Sequence, residues 1–251
     1  MTSNRKMNGL TQSLRLLAVV LATLSLPMLA HSTTPLAESL SARQQAMVSI
    51  STLTAKGDLP HLHDALAQGL DAGLTVNEEK EVLVHLYAYC GFPRSLQGLN
   101  TLLKVLDERK AQGKKDVLGK SASPITSTAP KYERGKRVLE QLSGQPEKEP
   151  KTGYAAFSPE IERFLKEHLF ADIFERDVLT YQEREVVTIA ALVSLGGVEP
   201  MLQGHLGIGL HTGLTAGQLQ HLLRVAEAAI GKPDADAGRT VLTKVLASQK
   251  K

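Results

Sequence analysis

The chain of 251 residues has no tryptophan, a single cysteine and only 4% aromatic residues. One cysteine excludes an internal disulfide, so stability has to come from packing. The scarcity of aromatics, together with a small net charge, excludes a basic, aromatic-studded surface of the kind that grips nucleic acid. Alternation of apolar and polar residues at strand period is nearly missing, which points away from sheets and towards an all-α fold. No CxxC pair occurs anywhere.

What is present begins with an export signal. Arg5, Lys6 and Arg15 precede an apolar run from Leu16 to Ala30 that is interrupted by Pro27, with small residues near Ala30 and Ser32. The run is short for a membrane span and carries a proline, so the reading is a cleaved signal over residues 1–32 rather than an anchor. No cysteine stands at the junction to carry a lipid. Cleavage would remove three basic residues and leave a formally neutral mature chain that is periplasmic or secreted, with no stable membrane insertion.

The rest of the chain repeats itself. The stretch from Leu40, "LSARQQAMVSISTLTAKGDLPHLHDALAQGLDAGLTVNEEKEVLVHLYAYCGFP", answers the stretch from Leu179, "LTYQEREVVTIAALVSLGGVEPMLQGHLGIGLHTGLTAGQLQHLLRVAEAAIGKP". The register shifts by one residue in the turn between Gly57 and Pro60. Each copy marks two helix starts with capping-box spacing, Ser41 with Gln44 and Thr75 with Glu78 in the first, Thr180 with Glu183 and Thr215 with Gln218 in the second. Apolar residues then recur at helical spacing, as in Met47, Ile50 and Leu53 or Val186, Ile189 and Val193. Gly73 and Gly213 fit helix stops, and Gly91 with Pro93 and Gly231 with Pro233 close the third helix of each copy. Gly69 and Gly209 fall inside the second helices, where close helix contact is expected. Residues 36–110 form the first repeat, 111–130 a polar linker, and 131–250 the second repeat, preceded by the short amphipathic helices of "YERGKRVLEQLSG" and "EIERFLKEHLFADIF". Each repeat is small for an independent core, so the two are expected to pack on each other as an internal pseudo-dimer.

The order "REVVTIAAL", then His205 eight residues before Gly213, then "GLT", a helix and "GKP" resembles the carboxymuconolactone decarboxylase family. "EVLVHLYAYCGFP" is similar to that family's third helix, and "YERGKRVLEQLSG" to the segment that precedes its domain. The resemblance implies an all-α fold that assembles into a homo-oligomer, here a dimer or trimer. It also implies a small-molecule substrate, with either acid/base decarboxylation of a lactone acid or peroxide reduction by a CxxC dithiol followed by histidine. On His205 the dithiol positions are Val198 and Met201, and in the first copy they are Asp58 and His61, with Ala65 in place of the histidine. A peroxidase reading would therefore need an external thiol.

Candidate site residues follow from the repeat. Glu185 and His205 occupy the family's acid and histidine positions, where the first copy has Ala46 and Ala65. Conversely, Glu81 and His85 of the first copy are answered by His221 and Val225. Glu81 precedes His85 by four residues, a spacing at which a carboxylate can hold an imidazole's tautomer and raise its basicity. Two readings of this distribution stand side by side: one composite site made from Glu185, His205, Glu81 and His85 with Tyr89, or two halves that have each lost part of an ancestral site. Tyr89, Cys90 and Arg94 are candidates for holding substrate. Cys90 itself lies at the negative end of its helix, where a thiolate is disfavoured. Arg94 or Arg184 is the candidate partner for a substrate carboxylate. His61, His63, His211 and His168 do not converge as metal ligands by spacing, so neither a metal nor another cofactor is expected. The sequence reading is an exported acid/base lyase or decarboxylase acting on a small organic acid or lactone. Its alternatives are the peroxide reductase and a non-catalytic binding protein.

Overall fold

The computed structural model describes residues 38–249. The export signal expected over residues 1–32 lies outside the described residues. Within them the chain forms α1 (Ala42–Lys56), α2 (Leu59–Asp71), α3 (Val76–Ala111), α4 (Lys131–Ser143), α5 (Gly153–Phe157), α6 (Pro159–Phe164), a π-helix (Leu165–Ile173), α7 (Tyr181–Leu195), α8 (Glu199–His211), α9 (Ala216–Ile230) and α10 (Lys232–Ser248). No strand occurs among the described residues, and no helix there is long and apolar enough to cross a membrane.

All four capping boxes are closed. Ser41, Thr75, Thr180 and Thr215 each accept the backbone N–H three residues on, and Gln44, Glu78, Glu183 and Gln218 each reach back to the cap. Such caps contribute about 1 kcal/mol each and fix where a helix begins. Gly91 does end a run of helix, with φ 80° and ψ 162°, but a new helical run starts immediately and carries α3 on to Ala111. Gly231 does the same between α9 and α10, with φ 85° and ψ 166°. The positive φ requires glycine at this break, and the proline two residues later sits in the first turn of the new run, where its missing N–H is not needed.

The two copies pack into one core. α1 and α7 lie against each other at its centre, and α3 packs on both, while α9 packs on both from its own side. Met47, Val48 and Ile50 of α1 and Val186, Val187, Ile189 and Ala190 of α7 are fully enclosed in one cluster that runs through both halves. A helix apolar on nearly every face has to be buried on every face, and α7 is buried from Arg184 to Ser194. α4 packs on the π-helix to form a second, smaller cluster around Val138, Leu142, Phe170 and Phe174. Close contact explains Gly209, where a Cβ would stand 3.2 Å from both Ile189 and Leu214.

Two tethers cross between the halves near the chain's described start. The Leu40 N–H donates to Nδ1 of His221 at 3.0 Å, and Arg43 pairs with Glu78 at 2.6 Å while approaching Glu183 at 3.9 Å. Residues 112–130 carry no helix but are not detached from the body: Val76 and Asn77 N–H donate to the carbonyls of Val117 and Leu118, and Arg109 clamps Asp116 at 2.6 Å.

Candidate functional site

Three helices bring the candidate residues together. The first run of α3 supplies Glu81, His85 and Tyr89 from one helical face. The first turns of α7 supply Arg184, Glu185 and Thr188, and α8 supplies His205. The centre is therefore composite, with one helix from the first copy facing two from the second.

Glu185 is fully enclosed and accepts from Nδ1 of His205 at 2.9 Å. A carboxylate can only accept here, so the neutral imidazole carries its proton on Nδ1 and keeps the Nε2 lone pair for chemistry. The other carboxylate oxygen, Oε1, is enclosed and completes no hydrogen bond. The His205 side chain is 16% exposed, which makes it the wet edge of an otherwise dry centre. The Tyr89 ring stands edge-on to it, with centroids 5.6 Å apart. Burial pushes the Tyr89 phenol well above its ordinary range, and the nearby Glu185 charge adds to the effect, so its hydroxyl remains protonated.

The spacing of Glu81 and His85 leads to the expectation that they form a pair, and the structure corrects it. Glu81 instead accepts from Arg184 at 2.8 Å and, through both oxygens, from the Nε of Arg176 at 3.0 Å. His85 accepts from Arg184 at Nδ1 (3.1 Å) and contacts the Thr188 hydroxyl at Nε2 (2.8 Å). Arginine has no acceptor, so Nδ1 of His85 is unprotonated and Nε2–H donates to Thr188. Complete burial lowers the His85 pKa well below the ordinary imidazole value, and the charges of Arg184 and His205 lower it further. The physical reason for the rearrangement is that Arg184, enclosed on all sides, has to find a carboxylate, and Glu81 is the one within reach. The Arg184 Nη2 also donates to the carbonyl of Arg176 at 2.6 Å, and its guanidinium lies over the Phe174 ring, 5.7 Å from the centroid. His85 meets the same ring at 5.1 Å and the Tyr89 ring at 5.2 Å.

His205 and Glu81 are thus linked through Tyr89, His85 and Arg184 in one enclosed group. Arg94 and Cys90 are placed differently. The Arg94 guanidinium lies on Gly57, so close that a Cβ there would overlap it. The Cys90 thiol donates to the Leu86 carbonyl at 3.1 Å, and burial raises its pKa to about 11. Among the described residues no hydrogen bond joins either side chain to Glu185 or His205, and no group of three or more metal-ligating side chains converges.

Sequence reasoning named Arg184 but missed Thr188, Arg176 and Phe174. Thr188 was within its reach, being one turn on from Arg184 and Glu185 and matched by a hydroxyl residue, Ser49, in the first copy. Arg176 and Phe174 sit between the π-helix and α7, where no periodic signal marks them.

Fold and geometry together define a tandemly duplicated helical protein in which an enclosed carboxylate–imidazole pair of the second copy, Glu185 with His205, faces Tyr89 on the third helix of the first. The family model of the carboxymuconolactone decarboxylase family matches residues 28–103 and again residues 159–244. The chain belongs to that family. Among curated proteins, none matches the chain.

Proposed function

We propose that the protein is an exported lyase that decarboxylates a small organic acid or lactone, with His205 as its proton-transfer group. The observation that carries this reading is the Glu185–His205 pair: an enclosed carboxylate holding Nδ1 of an imidazole at 2.9 Å, the imidazole alone reaching water. A fixed tautomer, a dry surround and one accessible nitrogen are the requirements for moving a single proton at a chosen atom. In this role the carboxylate–carbon bond of the substrate breaks, carbon dioxide leaves, and the electron pair remains on the lactone as an enolate. Nε2 of His205, having first taken up a proton from solvent, donates it to that carbon, and the imidazole returns to its neutral Nδ1–H form held by Glu185. Tyr89 borders the same imidazole and orients what it meets. Glu81, His85, Arg176 and Arg184 hold the wall behind.

The test is release of carbon dioxide from a carboxylated γ-lactone. Wild type should turn over, His205→Ala should lose at least a hundredfold in kcat/KM, and Glu185→Gln should retain KM while kcat falls. Turnover that survives His205→Ala with unchanged pH profile would exclude the reading. Export is tested separately by mass spectrometry of the native N-terminus, with loss of about 30 residues expected.

A further inference from the structure

The duplication creates a second position equivalent to the Glu185–His205 centre, built from α1 and α2 with α9. There Ala46, Ala65, Val225 and Ala229 stand where the composite centre has Glu185, His205, His85 and Tyr89. Every one of these exchanges removes side-chain volume, and a cavity of about 310 Å³ opens between the three helices, with Ala65, Val225 and Ala229 in its wall. That volume lies within the range of small-molecule sites. Its rim is polar. Asp58 and His61 meet there at 2.7 Å, and Asp64 adds a second carboxylate whose side chain is largely exposed. No lysine or arginine lines it. The composite centre contrasts with this, having two arginines in its wall.

We infer that this cavity is a separate binding site for a small organic amine, the ammonium group lying against Asp58 and Asp64 and the hydrocarbon body against the alanine-lined wall. Asp58 and Asp64 are already paired with His61 and His63, but with no lysine or arginine in the wall the two carboxylates still favour a cation over an anion, since an ammonium is attracted to both while a ligand carboxylate is repelled. The apolar wall requires a body of a few carbons beside that charge, because burying it supplies affinity that an exposed ion pair does not. The site shares no residue with the Glu185–His205 centre, so the two readings stand or fall independently.

Titration of the full chain with benzylamine, followed by amide shifts in ¹H–¹⁵N spectra, tests the inference, with benzoate as the oppositely charged probe. Saturable shifts centred on Ala65, Val225 and Ala229 are expected with benzylamine and none with benzoate. Ala229→Tyr restores the residue that the other half carries at this position and should weaken benzylamine binding at least tenfold. Asp64→Lys, on the exposed rim and harmless to packing, should weaken it about as much, while His205→Ala should leave it unchanged. Absence of saturable shifts, equal binding of benzoate, or indifference to both Ala229→Tyr and Asp64→Lys would overturn the assignment.

Discussion

Arg184 donates a hydrogen bond to Nδ1 of His85 at 3.1 Å, and this one contact decides which nitrogen of the imidazole carries the proton. His85 is accordingly a neutral Nε2–H donor to Thr188 and not a base. Long-range ¹H–¹⁵N spectra should show that tautomer unchanged from pH 8 down to pH 5. The unfolded chain takes up a proton below about pH 6.5, which folded His85 resists, so stability contributed by this residue is present above that pH and is lost as pH falls below it. His85→Gln should flatten that acid limb.

Glu81 neutralises a fully enclosed guanidinium, and its removal leaves that charge buried without a partner. Glu81→Ala should cost about 3–5 kcal/mol and lower Tm accordingly in thermal unfolding. Glu81→Gln, which keeps an acceptor for Arg184, should cost less than the alanine variant.

Glu79 occupies a core position where the second copy has Leu219, and neither of its carboxyl oxygens has a hydrogen-bond partner. Burial raises its pKa from an ordinary value near 4.5 to about 9. Between those two values the unfolded chain is ionised and the folded one is not, so folding takes up a proton and stability falls as pH rises through that window, by up to about 1.4 kcal/mol per pH unit. Glu79→Leu should stabilise the protein on the order of 3 kcal/mol at pH 7 and remove this decline, as denaturant titrations at pH 5, 7 and 9 would show.

Cys90 has a thiol that donates to Leu86 and a pKa raised to about 11. Its alkylation by iodoacetamide should be slow at pH 7.5 and still be accelerating at pH 9.5, and Cys90→Ser should leave Tm and lactone turnover unaltered. Rapid alkylation at neutral pH would contradict the buried-thiol assignment.

Phe92, Leu96 and Leu103 form an exposed apolar stripe on the second run of α3, while the matching positions of α10 are Lys232, Asp236 and Thr243. Both runs bury the same face, Leu102 and Val105 in one copy and Leu242 and Val245 in the other. The fold thus does not need the stripe, and the triple variant Phe92→Lys, Leu96→Asp, Leu103→Thr should melt within a few degrees of wild type.

How far the sequence reaches is clearest at the helix boundaries. Ser41, Thr75, Thr180 and Thr215 were readable as caps because a cap is made by residues three apart, and Gly91 and Gly231 as breaks because a positive φ selects glycine. The pairing of Glu185 with His205 was legible through the family resemblance, which put the two at its acid and histidine positions on consecutive helices, where the first copy has Ala46 and Ala65. The partner of Glu81 was not legible. Helical spacing offered His85, and the tertiary structure substituted Arg184 from a helix about a hundred residues away, because a guanidinium sealed in a low-dielectric interior outcompetes a neutral imidazole for a carboxylate. The sequence alone determined what neighbours within one or two turns impose: helix starts, helix breaks, repeat register and the all-α class. Only the tertiary structure decided proton positions, the enclosure of Arg184 and the opening of a cavity at the alanine-lined position, because desolvation and charge pairing act between groups that the chain brings together only once it has folded.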